Sequence, residues 1–282
     1  MKNNIRIGCS SYYNSRWKGV FYPEDMPPKQ WFDFYCQHFN TYEINATFYK
    51  APTIRTLTTW YNKAPEGFTY AVKAPKQITH IKKFVDCEED IMQFYAVCRN
   101  GLKDKLGCIL FQLPPSFSYT EERLDLILSS LNPEFRNVIE FRNESWWQDD
   151  VYAALAENNI TFCTVNYPKL PTKVVATTQT GYVRLHGNPQ LFYSEYSEEE
   201  LRMLYSDIDF QDNLNEVYVY FNNTASSAAI INAQQFERLG RYHKINITLG
   251  LNRHENCNYV KYSSALKISL TFNVNRYIKP YI

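Results

Sequence analysis

Residues 180–188 read TGYVRLHGN. Val183 and Leu185 suit a core, yet Tyr182, Arg184 and His186 alternate with them before Gly187 ends the run. A period of two puts the two cations on one face and the aliphatic pair on the other. Such a strand either lies open to water or turns its polar face into a site. The rest of the chain decides between these.

Short apolar or β-branched runs recur near residues 5–9, 41–46, 68–74, 107–113, 137–142, 160–166, 181–186 and 216–221. Segments with helical spacing separate most of them: PPKQWFDFYCQHF (27–39), APTIRTLTTWYNKAP (51–65), DCEEDIMQFYAVCRNGL (86–102), TEERLDLILSSL (120–131), QDDVYAALAENN (148–159), SEEELRMLYSDI (197–208) and SSAAIINAQQFERLG (226–240). Pro28 suits a first helical turn, and the segment from Asp86 opens acidic and closes near Gly101. Strands alternating with helices call for parallel pairing through right-handed crossovers. Eight of them give the expected fold class: α/β, a single (β/α)8 TIM barrel over 1–240, followed by a C-terminal extension over 241–282. The rival is a doubly wound open sheet. Its usual glycine-rich first turn is missing from GCSSYYNSRWKG (8–19).

In a barrel both faces of a strand are covered, so Arg184 and His186 must face the interior near the strand's C-terminal end, where barrel enzymes build their sites. The same event recurs around the chain. Glu43 and Asn45 share a face in TYEINATFYK, as do Glu140 and Arg142 in VIEFRNESWW; Lys73, Gln112, Asn166 and the pair Asn222–Asn223 close other strands. Buried ions cost several kcal/mol each unless paired. The ring is either a site or a closed ion network that fixes barrel register.

The totals narrow the class. Of 282 residues, 45% are hydrophobic and 21% charged, as in a globular protein. Net charge is +1, but from Arg241 onward seven Lys/Arg face the single acid Glu255, so the body is mildly acidic. That balance does not advertise a broad nucleic-acid surface, although a local cationic cleft remains compatible with it. Seven scattered cysteines without a C-x-x-C pair read as buried thiols rather than a zinc site. No apolar stretch reaches membrane-spanning length, and the expectation is a soluble cytoplasmic protein with no membrane partner.

Seven ordered motifs, IRIGCSSYYNSRWKGVFYP, YEINATFYKAP, WYNKAPEGFTYAVKAPKQITH, GCILFQLPPSF, VIEFRNESWW, YVRLHG and VYVYFNNT, resemble the YecE-like family, a widespread domain of unknown function. The resemblance spans about residues 5–240 and implies a TIM barrel without supplying a reaction. Two departures stand out. Members commonly carry SGWSY where this chain has Ser10 to Asn14, and many carry an aspartate where it has Asn166.

Glu43 and Glu140 are the candidate acid–base pair, because two carboxylates in one cavity can be driven to different pKa values. Lys73 can add charge or act as nucleophile or base, and His186 can move protons. Arg142 and Arg184 can clamp a phosphate or carboxylate bidentately. Asn45, His80, Gln112, Asn222 and Asn223 complete the binding set, and Tyr49 and Trp146 can stack a base or sugar ring. A mixed carboxylate–imidazole metal site is conceivable from Glu43, Glu140, His80 and His186. It is disfavoured by the two arginines and by the absence of paired ligand spacing, so no metal ligand and no cofactor is assigned. Three functions fit: an enzyme performing acid–base hydrolysis or elimination on a small anionic, phosphate-bearing or nucleic-acid-fragment substrate; a glycosidase-like hydrolase using the Glu pair; and a non-catalytic ligand-binding barrel.

Overall fold

The structure is a computed structural model that describes residues 4–248, with side chains to residue 241. Eight strands form one parallel sheet: β1 Asn4–Cys9, β2 Thr41–Ile44, β3 Thr69–Lys73, β4 Leu106–Gln112, β5 Asn137–Glu140, β6 Ile160–Asn166, β7 Thr180–Leu185 and β8 Glu216–Phe221. They are ordered β1-β8-β7-β6-β5-β4-β3-β2, so the sheet curls into the expected TIM-type barrel.

The seam between β1 and β2 is closed by a side chain. The Cys9 N–H donates to the Tyr35 hydroxyl (2.7 Å), which donates in turn to the Thr41 carbonyl (3.0 Å). Gly8 permits this approach, since a Cβ there would stand 2.2 Å from the Thr41 oxygen.

The helices are α1 Trp31–His38, α2 Ala46–Tyr49, α3 Ile54–Lys63, α4 Glu88–Leu102, α5 Glu121–Ser130, α6 Asp149–Glu157, α7 Glu198–Asp209 and α8 Ala228–Thr248. Local chemistry sets their starts. Thr53 and Thr120 accept from backbone N–H groups of the first turns of α3 and α5, and Ser197 with Glu200 forms a reciprocal capping box at α7. The β6–β7 connection, 167–179, has no helix. It lies along β6 instead: Val175 N–H donates to Thr164 Oγ1 and Phe162 N–H to Thr177 Oγ1. The beginning of the 241–282 extension continues α8 to Thr248, and the remainder lies outside the described residues.

Strand parity sorts the core into two. Ile7, Tyr42, Ile44, Tyr70, Val72, Ile109, Phe111, Ile139, Phe162, Val183, Leu185, Val217 and Val219 belong to the large cluster packed under the helices. Ala71, Cys108, Leu110, Val138, Cys163, Val165, Tyr182, Tyr218 and Tyr220 fill the barrel interior. Extending the interior parity by one or two residues along each strand reaches Ser10, Glu43, Asn45, Lys73, Gln112, Glu140, Arg142, Arg184, His186 and Asn222. The polar ring is therefore continuous with the interior core at the C-terminal end.

Candidate active site at the barrel mouth

Arg184 occupies the centre of the interior, 1% exposed. Its Nε and Nη2 donate to Glu43 Oε2 (2.9 Å) and Oε1 (2.6 Å), and Nη1 donates to Glu140 Oε2 (2.6 Å). Glu43 accepts further bonds from Ser10 Oγ (2.7 Å), Asn45 Nδ2 (2.9 Å) and the Tyr182 hydroxyl (2.7 Å). Glu140 also accepts from Arg142 Nε. Burial by itself would raise both carboxyls, but the guanidiniums outweigh it: Glu43 is held below the ordinary carboxylate range, and Glu140 well below it. Both are fixed anions.

Arg142 lies nearer the surface, with its guanidinium 4.1 Å from the Tyr167 ring centre and Nη2 2.9 Å from His186 Nε2. A guanidinium can only donate, so Nε2 is the acceptor and the ring proton sits on Nδ1. Nδ1 is 2.7 Å from the Asn222 carboxamide, which on this tautomer presents its oxygen. Burial, then Arg142 and Arg184, push the His186 pKa down to about 3. The ring is neutral at any ordinary pH.

Lys73 ends β3 on the interior parity. Its Nζ donates to Gln112 Oε1 (2.8 Å) and lies 4.3 Å from the Phe48 ring centre. No carboxylate pairs with it among the described residues. Burial, then Arg184, push its pKa down to about 8, with Glu140 and Glu43 opposing. The His80 ring also meets Phe48, in a T-shaped contact (4.8 Å between ring centres), with Nδ1 bonded to Thr79 Oγ1 (2.9 Å). Burial, then Lys73 and Arg142, take its pKa down to about 4. His80 rides on a π-helical turn, Gln77–Lys82, followed by left-handed Lys83, Phe84 and Asp86. Strained backbone of this kind clusters at functional sites.

Most of the expected residues thus converge: Glu43, Asn45, Lys73, His80, Gln112, Glu140, Arg142, Arg184, His186 and Asn222. Three do not. Trp146 is fully buried in a stack between Phe141 and Phe117, with its indole N–H on the Phe117 carbonyl, so it packs a loop and offers no ring to a ligand. Its neighbour Trp147 packs between the two clusters, edge-on to Phe162. Asn223 falls on the outer parity, where it ties Ser194 and Asn232 together. Tyr49 is 76% exposed and touches Phe48 rather than the polar ring. Asn166 also faces outward, accepting from the Tyr196 hydroxyl, so the exchange of aspartate for asparagine falls outside the mouth.

Ser10, Phe48, Tyr167 and Tyr182 are further members. Period-two parity marks all but Phe48, which sits on α2: Ser10 continues the interior face of β1, Tyr182 lies on that of β7, and Tyr167 continues that of β6 after Cys163 and Val165. Among the described residues, Asn45 Oδ1 is buried at the mouth without a hydrogen-bond partner, and so is Trp147 Nε1, on the ring beside Phe162. No cluster of three or more His, Cys, Asp and Glu able to hold a metal occurs among the described residues. Both carboxylates and both His186 nitrogens already have partners. None of the described helices is long and apolar enough to cross a membrane.

Comparison with known proteins agrees with this architecture. A family described as "Protein of unknown function DUF72" matches residues 6–254. The UPF0759 protein YunF of Bacillus subtilis is 24% identical over 255 residues, 77% of this chain and 89% of that one. A DUF72 family protein from Thermotoga maritima has a crystal structure that superposes with a TM-score of 0.77 at 30% identity, covering 85% of this chain and all of that one. D-psicose 3-epimerase from Clostridium cellulolyticum, at 12% identity and a TM-score of 0.50 over 84% of this chain and 98% of its own, shares the fold alone.

Proposed function

This chain belongs to the DUF72 family, whose description assigns no reaction, and we propose that it is an enzyme that binds a small anionic substrate at the barrel mouth and carries out acid–base hydrolysis or elimination there. One observation carries the reading. Among the described residues, Glu43 and Glu140 balance Arg142 and Arg184, and Lys73 is then a cation in excess, with an amide as its acceptor. A mouth with one uncompensated positive charge attracts phosphate or carboxylate. Lys73 is also the mouth group whose pKa, about 8, lies where proton transfer is effective. The motifs that resemble YecE-like proteins hold nearly the whole mouth, from YEINATF to YFNNT.

In this reading Arg142, set over the Tyr167 ring, meets the anion, Lys73 moves the proton, and Asn45 and Gln112 orient the ligand. Arg184 is the internal keystone rather than the clamp, because its donors are engaged by the two carboxylates. A nucleic-acid fragment would enter as one more phosphate ester. The glycosidase-like alternative is set aside: its acid must hold a proton, and both carboxyls are kept ionised by guanidinium contacts. A ligand-binding barrel without turnover is the second reading, favoured by the same complete pairing.

The test is calorimetric titration of the folded protein with inorganic phosphate and with simple phosphomonoesters, repeated on Arg142→Met. Binding weakened by at least about tenfold in the variant is expected, equivalent to the loss of one charge-assisted contact of ~1.4 kcal/mol. Absence of binding, or equal binding in the variant, contradicts the proposal. Binding without turnover of any phosphomonoester favours the second reading.

A further inference from the structure

We infer that Lys73 is a covalent nucleophile and that the anionic substrate carries a carbonyl group, which the Lys73 amine captures as a Schiff base. The inference rests on the anion-binding reading of the same mouth and names its substrate class.

Two lysines illustrate the choice. Lys105 is buried at the start of β4, with Nζ caged by the carbonyls of Tyr61 (2.8 Å) and Ala64 (2.6 Å) and set over the Tyr61 ring. Two carbonyl acceptors and a ring face stabilise an ammonium and leave it nothing to attack. Lys73 has one acceptor, Gln112 Oε1, to which a neutral amine can still donate, though more weakly than an ammonium, and it sits at the end of a barrel strand on the mouth side.

The charged and titratable groups facing Lys73 come from every packed element: Glu43 on β2, His80 on the turn after β3, Glu140 and Arg142 from β5 and its extension, and Arg184 on β7. Both carboxylates are already bonded to guanidiniums. His80 is neutral at pH 7 and supplies the ammonium with no counter-charge, since its charged form would be a second cation. An amine so placed, desolvated and beside cations, is an activated nucleophile.

The step balances without oxidant or reductant. The Nζ lone pair attacks the carbonyl carbon and the C=O π pair moves to oxygen. The oxygen collects two protons and leaves as water while the C=N bond forms. Ammonium plus carbonyl becomes iminium plus water, with one positive charge before and after. The Phe48 face that holds the ammonium at 4.3 Å holds the iminium in the same place. Arg142 meets the anionic end of the same molecule and brings the carbonyl to the amine. A carbonyl condensed in this way also activates its neighbouring C–H bond, which is the opening that an elimination requires.

The full chain is incubated with pyridoxal 5′-phosphate, used purely as a probe that joins an aldehyde to a phosphate. Adducts are reduced with borohydride and located by peptide mass spectrometry. The expected result is preferential labelling of Lys73 over Lys105 and the surface lysines, slowed by inorganic phosphate and lost in Lys73→Arg. Labelling spread evenly over surface lysines, with Lys73 unmodified, overturns the inference even where calorimetric phosphate binding survives. Labelling of Lys73 that phosphate does not slow supports the nucleophile and counts against the anion site. The wild-type comparison of Lys73 with Lys105 stands whether or not the variant folds.

Discussion

The two ends of the barrel both set a glutamate between two arginines, and the two triads differ in what surrounds them. At the N-terminal end, Glu216 receives Arg6 Nε and Arg136 Nη1, each at 2.6 Å, beside a cavity of about 400 Å³ that Arg99, Lys103 and Glu134 also line. Arg136 keeps 54% of its side chain in water. At the C-terminal end, Glu140 receives Arg142 and Arg184 with almost no exposure of any partner.

Coulomb attraction at contact is about fourfold stronger at an effective dielectric of about 20 than in water. The exposed triad still holds Glu216 below the ordinary carboxylate range, burial being outweighed by Arg6 and Arg136, but at the mouth burial and the arginines act in the same direction on the neighbouring basic groups. Lys73, His80 and His186 are all pushed down in pKa there. An ion triad on a barrel rim says little about function until its solvent is known.

The largest expected effect separates the two ends by stability. Arg184→Met leaves Glu43 and Glu140 buried and deprived of their shared guanidinium, so a loss of ~3–5 kcal/mol is expected from urea unfolding. A loss below ~1 kcal/mol would mean that water reaches the interior and that the contrast between the ends is false.

Acid sensitivity comes next. Folded His186 stays neutral down to about pH 3 and His80 to about pH 4, while their unfolded forms take up protons from pH 6.5 downward. The unfolded chain therefore holds more protons in this window, and stability rises with pH across it. Glu43 and Glu140 act in the same sense at lower pH. Their depressed pKa values give stability that is present above the ordinary value of 4.5 and lost as pH falls through the folded values. The urea midpoint should therefore climb from pH 4.5 to 6.5. A flat midpoint would place the two imidazoles in solvent.

The smallest effect belongs to the open end. Arg136→Ala should cost about 0.5 kcal/mol or less, diminishing further in high salt, because its partner is shared with Arg6 and its own side chain is half in water. A cost comparable to that of Arg184→Met would erase the distinction.

Much of this is legible in the sequence. Period-two parity pairs Glu43 with Asn45, Glu140 with Arg142 and Arg184 with His186, polar residues at strand ends add Lys73, Gln112 and Asn222, and strand–helix alternation supplies the barrel that makes them meet. Depth was hidden. Arg184 and Arg142 look alike in sequence, yet one is the keystone and the other the rim, because their heights depend on strand stagger rather than on local pattern. Adjacent-residue choices were hidden for the same reason. The short 3₁₀ turn Glu144–Trp146 sends Trp146 into the Phe117–Phe141 stack and leaves Trp147 between the two clusters. The turn of α2 brings Phe48, not Tyr49, to Lys73.

The most direct test follows the ionisation of one amine. Competitive acylation of all lysines with trace reagent across pH 6 to 11, read peptide by peptide in the native protein, gives the Lys73 titration. A midpoint near 8 is expected from burial beside Arg184 with no carboxylate partner. A midpoint at the ordinary 10.5 would mean that Lys73 is solvated or paired, and that the mouth carries neither the excess charge nor the reactive amine assigned to it.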